Sequence, residues 1–192
     1  MRATFSALLL LAVALPAGAK NVQLPPNVTL RPGNMSGDYI DTVSQEVRGA
    51  EFGKLKLCLA QNVSNQAVTI TGGTDAPLTF YSGNRTQTST IQGGQVFKYE
   101  DAAAGAVIAV GSADAGQFLM GMTRAVVRFE VMAVAGPERT TLKFSNIGRT
   151  DLNTGSVTNE GFSPVGAWKG AKPLAVIETL QALGTRLDSC LQ

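Results

Sequence analysis

Histidine, the commonest general base and metal ligand, does not occur in this chain. Its absence excludes Ser-His-Asp and Cys-His catalysis, and it removes zinc sites built on imidazole. Two cysteines are too few for a four-thiolate zinc site, so neither a metal nor a cofactor is expected. What remains for chemistry is carboxylates, Lys or Tyr. Paired acids held several ångströms apart across a cleft hydrolyse glycosides. The nominees here are Glu100 and Asp101, neighbours after a strand-like run, and Glu130, beside Arg128 on a polar strand face. Asp38 and Asp41 flank Tyr39. Nothing in the sequence makes any two of them converge, and ordinary solvated surface accounts for each. The balance therefore leans against an enzyme.

Other residue groups suggest contact rather than catalysis. Phe80, Tyr81, Asn84 and Arg85 lie in one loop-like segment whose aromatic, amide and guanidinium groups suit a protein or glycan surface. Trp168, the only tryptophan, joins them as a candidate recognition residue. Asp151 to Gly155 resembles the start of a calcium loop, but the twelfth position is Phe162 where such loops need Glu, and turn chemistry explains the residues present. Ala102 to Met122 is rich in Ala, Gly and apolar residues, as a membrane-inserting segment would be. Asp114 and Gln117 interrupt it, so buried strands joined by small residues fit better. Asn27, Asn34, Asn62 and Asn84 begin N-x-S/T sequons, which matter only in a glycosylating pathway.

The N-terminus supplies the compartment. Arg2, the apolar run Ala7 to Leu15 and the small residues Ala17 and Ala19 read as a cleavable secretory leader over 1–19. The run is too short to span a bilayer and Pro16 closes it, so no anchor is expected after cleavage, and the destination is periplasmic or secreted. Cys58 and Cys190 then predict one disulfide, which would close most of the domain into a loop. A formal charge of +2 gives no electrostatic reason to expect nucleic acid.

Elements follow from periodicity. Residues 20–40, with Pro25, Pro26 and Pro32, read as an extended N-terminal arm, and 41–192 as one β-rich domain. Lys54 to Gln61 alternates lysine and leucine, which predicts a strand with Cys58 on the lysine face, paired through the Ser64 to Gln66 turn with the strand Ala67 to Thr71. Leu78 to Tyr81, Gln95 to Tyr99 and Ala106 to Val110 are further strand candidates. In Arg124 to Ala133 the odd positions are apolar, and Leu142 and Phe144 alternate with Thr141, Lys143 and Ser145. From Pro173 to about 188, Val176, Ile177, Leu180, Leu183 and Leu187 recur at helical steps, with Gly184 as a candidate early stop.

Short strands with turns between them predict a mainly β fold, an antiparallel sandwich or barrel, with one amphipathic C-terminal helix packed on the sheet. The bridge would clamp that helix onto the strand face bearing Cys58. The function expected is an exported, non-enzymatic β-domain that binds a protein, glycan or cell-envelope component. The alternatives are a hydrolase working through the paired carboxylates and a membrane-active β-protein.

Overall fold

The computed structural model describes residues 22–33, 37–74, 86–118 and 123–192. The leader over 1–19, the strand candidate Leu78 to Tyr81, the loop residues Phe80, Tyr81, Asn84 and Arg85, and Asn34 all lie outside them.

The fold is mainly β, with two sheets and the C-terminal helix packed on them. The large sheet orders its main strands β1 (Val28–Arg31), β2 (Tyr39–Arg48), β8 (Arg139–Asp151), β7 (Thr123–Val134), β6 (Ala106–Phe118) and β5 (Phe97–Asp101), all antiparallel, and the short β10 (Ser163–Pro164) also pairs with β8. A smaller sheet orders β4 (Thr86–Ile91), β3 (Val68–Gly73) and β9 (Asn153–Thr158). The large sheet's inner face is covered by helices α1 (Phe52–Asn62) and α2 (Pro173–Cys190).

The alternation in β7 comes through as burial. Ala125, Val127, Phe129, Val131 and Ala133 are at most 1% exposed. Register places Val107 and Ala109 of β6 and Leu142 and Phe144 of β8 on the same face, and the Phe129 and Phe144 rings meet edge to face at 5.5 Å. Val176, Ile177, Leu180, Leu183 and Leu187 of α2 bury against this layer. Gly184 does not stop the helix. A Cβ there would overlap the amide of Gln45 on β2, so this glycine permits close crossing of helix over strand.

Lys54 to Gln61 corrects the sequence reading, because it is helix α1 and not a strand. A short run that alternates also satisfies helical spacing, and the tie breaks on propensity. Residues 52–62 contain no β-branched residue and consist largely of Lys, Leu, Ala and Gln. The buried set is Leu55, Cys58 and Leu59, while Leu57 is 57% exposed, so Cys58 lies on the leucine side of a helix. The expected hairpin with 67–71 therefore does not form, and β3 pairs instead with β4 and β9. The N-terminal arm enters the large sheet as β1, and the boundary drawn at residue 41 falls inside β2.

Cys58 and Cys190 are joined, with Sγ atoms 2.03 Å apart and Cα atoms 5.8 Å apart. The bond ties α1 to the last residue of α2, so the clamp links helix to helix instead of helix to strand.

Candidate functional site

The large sheet is forked. β2 and β8 pair from Arg48 and Arg139 as far as Val43 and Phe144, and beyond that point they part. The gap is filled by residues 163–166: β10 pairs with Gly148 and Arg149 on one side, while the Ile40 N–H donates to the Val165 carbonyl on the other at 2.8 Å. The cause is a change of parity within β8. Leu142, Phe144 and then Ile147 are buried, so an extra residue is accommodated around Asn146, which takes φ 49°, and the β7–β8 register shifts between Arg128 and Glu130. Asparagine tolerates that left-handed backbone better than most residues.

Where the strands part, a cleft of about 500 Å³ opens, lined among others by Arg31, Asp41, Arg128, Asn146, Phe162 and Ser163. Both guanidinium groups are seated on aromatic rings. Arg128 lies 4.7 Å from the centroid of Phe162 and donates through Nη2 to the Gln92 carbonyl at 3.1 Å. Arg31 lies 5.6 Å from the centroid of Tyr39, whose ring meets Trp168 at 5.5 Å and 72°. Gly166 lets this stack close, since a side chain there would run into the indole. Such cation–aromatic contacts contribute roughly 0.5–1 kcal/mol each at exposed sites and hold the guanidinium plane in place. Asp41 is exposed at the same cleft, and among the described residues neither it nor Arg31 makes an ion pair.

The carboxylates nominated from sequence do not form a pair. Glu100 is in register with the buried Val107 and is bound 2.7 Å from Lys56 of α1, so it faces the helix side. Glu130 is in register with Val110 and is bound 2.7 Å from Lys98, on the opposite face of the sheet. Asp101 accepts the Ala104 N–H through Oδ1 in a turn. A sheet stands between the two glutamates, so no substrate bond fits between them.

The remaining candidates fall into structural roles. Asp151 pairs with Arg149, and Asn153 Oδ1 accepts the Gly155 N–H in a turn with φ 65° at the glycine. The Ala/Gly-rich stretch supplies β6 in the interior of the large sheet, and Asp114 pairs with Arg124 across to β7. Two sequon asparagines are engaged, Asn27 Nδ2 donating to the Ser44 carbonyl at 2.6 Å and Asn62 Nδ2 to that of Cys58 at 2.9 Å. Trp168 stands beside the cleft but acts on it through Tyr39. Among the described residues no helix is long and apolar enough to cross a membrane.

No protein-family profile matches the chain, and no curated protein matches it. The chain is similar in outline to a solved structure, that of a DUF4468 family protein from Bacteroides ovatus ATCC 8483, 9% identical, with a TM-score of 0.40 over 79% of this chain and 78% of that one. At that distance the neighbour carries no inference for this chain.

Arg31, Asn146, Phe162 and Ser163 escaped sequence reasoning because they are brought together by the fork. One signal was present. Leu142 and Phe144 alternate on even positions, Ile147 falls on an odd one, and Asn146 and Gly148 stand at the change, which is the pattern of a bulge.

Proposed function

We propose that this chain is an exported, non-catalytic β-domain that binds an acidic glycan of the cell envelope through the cleft at the β2–β8 fork. The observation that carries the reading is the state of the cleft's charges. Among the described residues Arg31 and Asp41 line it without ion pairs, while other charges are paired, Glu46 with Arg139 and Glu130 with Lys98 among them. A rigid guanidinium presents parallel N–H donors that match a carboxylate, and the aromatic rings beneath Arg31 and Arg128 fix those planes before a ligand arrives. Asp41, Asn146 and Ser163 add the acceptors and donors that sugar hydroxyls require. The leader-like N-terminus and the disulfide support an oxidising, extracytoplasmic setting.

Titration calorimetry with a uronate trisaccharide and its neutral counterpart tests this reading. Binding of the acidic sugar alone, weakened about tenfold or more by Arg31→Gln, is expected. Equal binding of both sugars, or no effect of Arg31→Gln, would rule out the carboxylate reading, and silence with both would remove the cleft as a glycan site.

A further inference from the structure

Every open sheet leaves edge strands whose outward N–H and C=O groups have no ladder partner, and proteins blunt such edges with charge, proline or a bulge. Three edges here are treated in that way. β1 carries Arg31 and is flanked by Pro25, Pro26 and Pro32. β5 carries Lys98, Glu100 and Asp101 and has a register shift between Phe97 and Tyr99. β9 turns at Gly155 and pairs with β3 through a shifted register.

Among the described residues, the fourth edge, β4, has none of these devices within the strand itself. Its residues Thr86, Gln87, Thr88, Ser89, Thr90 and Ile91 include no charge and no proline, its register with β3 is unbroken, and the first five are exposed. On the solvent side its threonines form a ladder with β3, Thr90 beside Thr69 at 3.3 Å and Thr88 beside Thr71 at 3.4 Å between hydroxyls. The order Thr-Gln-Thr-Ser-Thr is also close to a palindrome about Thr88. If a second β4 approaches antiparallel with Thr88 on the two-fold axis, Thr86 meets Thr90 and Gln87 meets Ser89, so the threonine ladder runs unbroken across both copies.

We infer that β4 is a self-pairing edge, and that its partner is the β4 of a second copy of this chain. A charged peptide would gain only main-chain hydrogen bonds from an uncharged edge, whereas the edge's own sequence, reversed, also places threonine against threonine. The pairing is isologous, so it closes as a dimer. Six residues a side make a small interface, so association is concentration-dependent.

Sedimentation equilibrium up to about 1 mM, with oxidation of variants that add one cysteine to the bonded native pair, tests it. The expected result is a reversible dimer, covalent dimers from Thr88→Cys but not from Ser89→Cys, and at least about tenfold weaker dimerisation for Thr88→Lys with unchanged circular dichroism. The Thr88 side chain is exposed in the monomer, so neither variant disturbs the fold. A protein that stays monomeric throughout with no Thr88→Cys cross-link overturns the inference, as does a dimer that Thr88→Lys leaves intact.

Discussion

Breaking the Cys58–Cys190 bond should cost this protein a large part of its stability while leaving its folded structure in place. The residues joined are 132 apart in sequence, and the chain-entropy relation for a loop of that length gives about 5 kcal/mol at 25 °C, acting on the unfolded ensemble. Whole domains are typically stable by only about 5–15 kcal/mol, so the loss is severe. The helix itself does not depend on the bond for docking. Val176, Ile177, Leu180, Leu183 and Leu187 are each at most 1% exposed, and each such side chain contributes roughly 1.5–3 kcal/mol through burial. Two perturbations separate the tether from the packing of its sulfurs. Reduction of the native protein keeps both sulfur atoms, while Cys58→Ala with Cys190→Ala also opens a small void, because Cys58 is 1% exposed between Leu55 and Leu59.

Urea denaturation followed by the fluorescence of Trp168 and by circular dichroism measures both. A fall of about 3–5 kcal/mol on reduction is expected, with a larger m-value from a more expanded unfolded chain and an unchanged near-ultraviolet spectrum. Amide exchange in α2 should then accelerate together with that in β7. A loss below about 1 kcal/mol would refute the entropic estimate. Exchange in α2 running far ahead of β7 would show that the bond holds the helix down, contrary to the reasoning from burial.

Two further outcomes follow from the packing. Leu57→Lys should change stability by less than about 0.5 kcal/mol, because Leu57 is 57% exposed, whereas Leu59→Ala at 0% exposure should cost about 2–5 kcal/mol; comparable losses at both positions would favour the strand over the helix for this segment. Gly184→Ala should destabilise by about 1–2 kcal/mol despite alanine's helix propensity, since its Cβ overlaps Gln45, and adding Gln45→Ala should recover most of that loss in the same urea assay. An additive double variant would show that the two side chains do not meet.

What the sequence determined by itself was whatever depends on neighbours within one element. The odd face of Arg124 to Ala133 had to be buried, because five apolar side chains at period two cannot all face water, and each is at most 1% exposed. The stripe from Val176 to Leu187 had to form one side of a helix for the same reason at period 3.6. The cysteine pair followed from counting.

The tertiary structure decided everything that needed a partner distant in the chain. Lys54 to Gln61 fits both periods and its propensity favours a helix, but which side of that helix is buried was decided only when Leu55, Cys58 and Leu59 met the sheet and α2. Glu100 and Glu130 look alike in sequence, but the register of β5 and β7 against β6 puts a sheet between them. The cleft belongs to no segment. It exists because one extra residue near Asn146 makes β8 part from β2, and residues 162–166 then bring Phe162 and Ser163 to arginines from β1 and β7. Side-chain periodicity is local and legible in one dimension, whereas strand order and register are set by contacts that form only when the whole sheet closes.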